Sequence, residues 1–111
     1  MGNKFKGVLL CTDLDDTLLT TGDKRFTAQN REAIEHFMAE GGYFTFATGR
    51  VPMGAKLLLD LIRPNVPMIC FNGGAIYDFE ENKILWGKQL DRTAVRVAEY
   101  VEENFPEIGI E

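Results

Sequence analysis

Three carboxylates stand within four positions, Asp13, Asp15 and Asp16, directly after the nearly unbroken apolar run Val8–Thr12. Asp13 and Asp15 are two apart in a segment leaving an extended run, a spacing that points both side chains to the same side. Carboxylates this close repel unless one takes up a proton or a hard cation sits between them. Mg²⁺ is the usual cation where phosphate is also handled, because it needs only one or two protein carboxylates and keeps several waters. Two further polar stretches follow apolar runs. Thr48-Gly49-Arg50 comes after Tyr43–Ala47 and offers a hydroxyl, a backbone N–H and a guanidinium, all donors for phosphate oxygens. Asn72-Gly73-Gly74 comes after Pro67–Phe71. An aspartate can attack phosphorus and carry the phosphoryl group covalently. A second aspartate can protonate the leaving oxygen and later activate water.

The elements around these stretches must bring them together. Val8–Thr12 is a short, nearly unbroken apolar run, as expected of a strand buried on both faces. Asp13–Lys24 reads as a loop. Thr27 is positioned to cap a helix through Glu40, with Ile34, Phe37 and Met38 as its apolar stripe and Gly41-Gly42 as its stop. Tyr43–Ala47 reads as a second strand. Pro52 suits a helix start and Lys56–Ile62 the helix body, with Pro64 and Pro67 bracketing its end. Pro67–Phe71 reads as a third strand. Ala75–Phe79 and Ile84–Trp86 flank the turn Glu81-Asn82-Lys83 and read as a hairpin, with Trp86 a packing residue. Asp91 then caps a helix to about Phe105, with Ala94, Val97, Ala98, Val101 and Phe105 on one face, and Ile108-Gly109-Ile110 could begin a fourth strand. Alternating strands and helices predict an α/β fold with a parallel sheet. Ligands in such sheets bind outside the carboxyl ends of the strands. Asp13, Thr48 and Asn72 would then share one rim.

Composition sets outer limits. A chain of 111 residues is about one small domain. Twelve basic against 17 acidic residues, net −5, argue against a nucleic-acid surface, which needs a basic face. No apolar run approaches membrane-spanning length, and Asp13 ends the N-terminal run too early for a signal peptide, so a cytoplasmic protein is expected. Cys11 and Cys70 each sit in an apolar run and read as buried thiols rather than a disulfide framework. His36, among acids on the first helix, reads as a solvent-side residue, and Met38 and Met53 as packing.

Asp13-Leu14-Asp15-Asp16-Thr17-Leu18 resembles the first motif of the haloacid dehalogenase (HAD) superfamily of phosphohydrolases. Ala47-Thr48-Gly49-Arg50 resembles its second motif, and Asn72-Gly73-Gly74 the third-strand signature of its Cof-type branch. The three occur in the family's order. The resemblance implies a Rossmann-like three-layer core with a parallel sheet, residues 1–90, and the start of an α+β cap, residues 91–111. It implies Mg²⁺-dependent hydrolysis of small phosphorylated metabolites such as sugar phosphates. Asp13 would be the nucleophile and Asp15 the general acid/base, both serving the metal, with Asp15 lending its backbone carbonyl. Thr48 would hold the phosphoryl group with Gly49, Arg50 and Asn72 would face the substrate pocket, and residues 16–24 would form a short flap.

The chain departs from the pattern in two ways. Asp16 stands where this branch most often has glycine. The family's later lysine and acidic pair have no counterpart in this length, and two core strands are missing, including the usual neighbour of the first strand. The isolated chain is therefore expected to turn over little, and its apolar first-strand edge is expected to favour self-association. A non-catalytic binding module that keeps the fold is the main alternative. A receiver-type signalling domain would need an aspartate after the third strand, where this chain has Asn72.

Overall fold

A computed structural model describes residues 2–20, 22 and 25–110. Strand β1 (Leu9–Thr12) pairs in parallel with β2 (Tyr43–Phe46), Leu9 opposite Tyr43 through to Thr12 opposite Phe46. Helix α1 (Ala28–Ala39) makes the crossover. The Thr27 hydroxyl caps it by accepting from the Asn30 N–H at 3.2 Å. It ends at Glu40, and Gly41, with φ +88°, turns the chain out of the helix. Strand β3 (Met68–Cys70) joins β2 through a parallel bridge between Ala47 and Ile69. Beyond it, β4 (Ala75–Asp78) and β5 (Lys83–Gly87) form an antiparallel hairpin on β3, with a bulge at Ile76/Tyr77 and Asn82 at φ +52° in the turn.

The core forms around the central strand. Phe44 and Phe46 point to one side of β2 and are fully buried, their rings edge to face at 5.7 Å. They share a cluster with Ile34 of α1 and with Ala55, Ile62 and Met68. On the other side the Thr45 hydroxyl donates to the Pro67 carbonyl at 2.9 Å, which lets a polar side chain sit buried there. Asn65 fastens the chain before β3 to β2: its side chain accepts from the Phe44 N–H at 2.8 Å and donates to the Gly42 carbonyl at 3.0 Å.

Several expectations are corrected. β1 is not buried on both faces: Leu9 is 58% and Leu10 42% exposed, because no strand among the described residues pairs with its outer edge. Cys11 lies on that strand and is exposed, whereas Cys70 is buried as expected. The second helix, α2, covers Pro52–Lys56 only. Residues 57–61 continue as turns whose N–H groups bond back three residues, Leu58 to Ala55, Leu59 to Lys56 and Leu61 to Leu58. This tighter path buries Ile62 and brings Asn65 to β2, so tertiary packing overrides helix propensity. Met53 is 74% exposed, and Trp86 stands on the wholly exposed β5 rather than packed. Residues 108–110 form no strand.

Helix α3 (Arg92–Asn104) starts where the Asp91 carboxylate accepts from the Thr93 N–H at 2.8 Å. None of its residues is buried: of its apolar stripe, Val97 and Phe105 are exposed and Ala94, Ala98 and Val101 half-buried. The radius of gyration is 17.2 Å, against about 13 Å for a compact domain of this length. No helix of the described residues is long and apolar enough to cross a membrane.

Candidate active site

Parallel pairing decides which residues meet. Because Thr12 lies opposite Phe46 and the Ala47 N–H donates to the Thr12 carbonyl at 2.9 Å, β1 and β2 end at one level. The Thr48 N–H donates to the Ile69 carbonyl at 3.0 Å, which adds the end of β3. The three polar stretches therefore leave the sheet on one rim. There Asp13, Ala47, Thr48, Gly49, Ile69, Asn72 and Gly73 line a cleft of about 450 Å³.

Asp13 is exposed on this rim. Its Oδ1 accepts from the Leu14 N–H at 2.9 Å and its Oδ2 from the Thr17 hydroxyl at 3.2 Å. Both bonds hold the carboxylate in one orientation. The chain behind it is anchored by Leu14, Leu18 and Leu19, all buried, and the Leu14 carbonyl accepts from the N–H groups of Thr17, Leu18 and Leu19. Asp16 has φ +61°, so it keeps the left-handed backbone that favours glycine. Thr17 belongs to the first motif, yet the sequence alone assigned it no role; its signal was a hydroxyl four residues after the carboxylate. Of the expected flap, Thr21, Asp23 and Lys24 lie outside the described residues.

Thr48 is buried, and its hydroxyl oxygen accepts from the Arg50 N–H at 3.1 Å. Its carbonyl accepts from the Asn72 N–H at 3.1 Å, while the Phe71 N–H donates to the Arg50 carbonyl at 3.2 Å. These bonds lace the second stretch to the third. Phe71, Asn72 and Gly73 have φ of +51°, +54° and +93° in succession, a left-handed path that reverses the chain from β3 into β4. Asparagine and glycine tolerate that region; a phenylalanine there stores strain. A side chain on Gly49 would meet the Asn72 amide, the ideal Cβ falling 2.8 Å from Asn72 Oδ1, so glycine lets that amide lie against the backbone.

Arg50 and Asp15 do not line the cleft, although Arg50 follows Gly49 directly. Arg50 Nε donates to Asp15 Oδ2 at 2.8 Å and Nη2 to Asp15 Oδ1 at 2.7 Å, while Nη1 donates to the Gly54 carbonyl at 3.2 Å. The hydrogen bonds it donates to Asp15, with that carboxylate's charge, hold the guanidinium above its ordinary pKa against the lowering effect of burial. At Asp15 the Arg50 guanidinium offsets the negative charge that stands near Asp13. Below the cleft, burial pushes the Cys70 thiol up, and its Sγ donates to the Ala75 carbonyl at 3.6 Å.

Among the described residues no three His, Cys, Asp or Glu side chains gather as a metal cage. The Asp13 carboxylate on an open rim nevertheless fits a hard cation that keeps most of its water. The arrangement suits chemistry on an anion: a fixed carboxylate faces a buried hydroxyl, a bare glycine and an amide across one cleft.

Residues 10–110 match the family model of haloacid dehalogenase-like hydrolases. A 5-amino-6-(5-phospho-D-ribitylamino)uracil phosphatase of Bacillus subtilis is 41% identical over 69 residues, 62% of this chain and 23% of the relative. A relative from Mycoplasma pneumoniae is 35% identical over 100 residues, 86% of this chain and 35% of its own length. The crystal structure of a haloacid dehalogenase-like hydrolase from Bacteroides thetaiotaomicron superposes with a TM-score of 0.72 at 26% identity, covering 90% of this chain and 38% of that one. The chain thus spans between about a quarter and two fifths of the proteins it resembles. A match running from the first strand to the last described residue, on a fold shared with solved hydrolases, places this chain in the haloacid dehalogenase-like hydrolase family.

Proposed function

We propose that this chain is the nucleophile-bearing part of a Mg²⁺-dependent phosphatase acting on small phosphorylated metabolites, sugar phosphates among them. The observation that carries the reading is the convergence of Asp13, Thr48 and Asn72 on one cleft from three segments remote in sequence. An Asp13 carboxylate oxygen attacks phosphorus, and the P–O bond to the alcohol breaks. Asp15 gives its proton to the leaving oxygen. Asp15 then takes a proton from water, which attacks phosphorus and breaks the bond to Asp13, releasing phosphate. Thr48 and Asn72 hold the phosphoryl oxygens, with the Gly49 backbone beside them. Asp13 and the Asp15 main-chain carbonyl would hold Mg²⁺, which supplies charge neutralisation between the attacking carboxylate and the phosphoryl group. The relative from Bacillus subtilis, a phosphatase of a phosphorylated ribityl compound, supports a small polyol or sugar ester as substrate. Residues 1–90 form part of the core and α3 opens a cap domain, in a cytoplasmic enzyme. The exposed β1 edge self-associates in the isolated chain, which size-exclusion chromatography against concentration tests.

Hydrolysis of a generic phosphate ester with Mg²⁺ by the longest polypeptide carrying this chain, compared with its Asp13→Asn variant, tests the reading. Loss of turnover and of acid-stable, base-labile phosphorylation is expected; equal turnover would remove Asp13 as nucleophile. One observation favours a second reading, a binding module without turnover: Asp15 is engaged by Arg50. Phosphate binding with no hydrolysis in that longer polypeptide would select it.

A further inference from the structure

Arg50 follows the phosphate-facing Thr48-Gly49 pair, and its guanidinium would be the obvious clamp on a phosphoryl group. The geometry points to a different role, in which Arg50 is a positioning residue that fixes the Asp15 carboxylate and does not bind the phosphoryl group. This rests on the reading of Asp15 as the acid/base of the proposed phosphatase.

A guanidinium can grip an oxyanion with two parallel bonds through its two Nη groups or through the edge presenting Nε and one Nη. In Arg50 the Nε edge is engaged by both oxygens of Asp15, at 2.8 and 2.7 Å. The remaining Nη reaches back to the Gly54 carbonyl in α2, so the plane of the group is set from two sides. Arg50 is absent from the walls of the cleft that Asp13, Thr48, Gly49 and Asn72 line. Its own backbone is fixed as well: the N–H donates to the Thr48 hydroxyl oxygen, and the carbonyl accepts from Phe71. The fork therefore couples the loop after β1 to the loop after β2 and holds one carboxylate in one plane. A lysine would bring the same charge but only a point contact, leaving the carboxylate free to rotate.

Two measurements on the isolated chain test this. In spectra with ¹⁵N-labelled arginine, the Arg50 Nε–H is expected as a sharp, exchange-protected signal that Asp15→Asn abolishes and inorganic phosphate leaves in place. With ¹³C-labelled aspartate, the Asp15 carboxyl signal should move equally in Arg50→Gln and Arg50→Lys. A signal untouched by Asp15→Asn, one shifted by phosphate, or restoration by lysine would each overturn the proposal. Calorimetric titration with inorganic phosphate supplies the second arm. The charge-balanced Asp15→Asn/Arg50→Gln pair should bind within about threefold of Asp15→Asn alone, whereas Thr48→Val should lose about tenfold. A drop of about tenfold on adding Arg50→Gln would make Arg50 a phosphate ligand after all. If the wild-type chain binds no phosphate, the phosphatase reading loses its support, and the labelled spectra still decide what Arg50 holds.

Discussion

Two glycine-to-alanine substitutions, seven residues apart, should separate the site from the scaffold. At Gly49 the ideal Cβ falls 2.8, 3.0 and 3.1 Å from Asn72 Oδ1, Nδ2 and Cγ, the far end of an exposed side chain. Swinging that amide aside costs about 0.5–1.5 kcal/mol as an off-rotamer shift. Alanine recovers about 0.4–1 kcal/mol by restricting the unfolded chain, since Gly49 is not in the left-handed region. The two nearly cancel, so Tm should move by no more than about 4–8 °C, the shift that 1 kcal/mol produces in a domain near this size. The displaced amide, however, no longer faces the cleft. A hydrogen bond to a charged group contributes about 1.5–3 kcal/mol, so phosphate affinity should fall by about tenfold or more. At Gly42 the ideal Cβ falls 2.3, 2.4 and 2.7 Å from ring atoms of Phe37. That ring is half-buried against the core and lies tilted on Phe5 at 5.0 Å, so moving it aside gives up those contacts. Overpacking of this kind costs about 1–3 kcal/mol. Gly42→Ala should therefore melt clearly lower while keeping phosphate affinity in its folded fraction. Thermal unfolding by circular dichroism and phosphate titration below the transition give both numbers. The reasoning fails if Gly49→Ala melts as low as Gly42→Ala, or if it binds phosphate like the wild type.

Other outcomes follow from the same contacts. Phe46→Ala, which empties a fully buried site on the central strand, should cost about 3–5 kcal/mol in urea unfolding. Thr27→Ala removes the acceptor for the Asn30 N–H and should cost about 1 kcal/mol with the site unchanged. In the native state a thiol reagent should label exposed Cys11 quickly and Cys70 only on unfolding, which mass spectrometry of the labelled peptides reads out. Burial raises the Cys70 pKa, so the folded chain keeps that proton where the unfolded chain has lost it. Its contribution is therefore complete below the ordinary thiol range, about pH 8.5, and is lost as pH rises through that value and on to the raised one. Cys70→Ala should flatten the alkaline fall in stability.

The order of strands and helices was legible because each element carries its own punctuation. Thr27 and Asp91 cap their helices, Gly41 and Gly42 stop the first, and the apolar runs ending at Thr12, Ala47 and Phe71 mark strands by local chemistry alone. The shared rim was legible for the same reason: parallel strands must end on one side, so residues following them must converge. What local chemistry could not fix was exposure and partnership. The run from Val8 to Thr12 reads as buried, yet its outer edge has no described neighbour, and a strand's burial depends on what lies beside it. The run from Lys56 to Ile62 reads as helix, yet Asn65 has to reach Gly42 and Phe44 across the chain, and the turn tightens to let it. Asp15 and Arg50 are 35 residues apart. Their types announced a carboxylate and a cation, but only the packing of two loops determined that each would take the other, because a charge chooses its partner by distance in space.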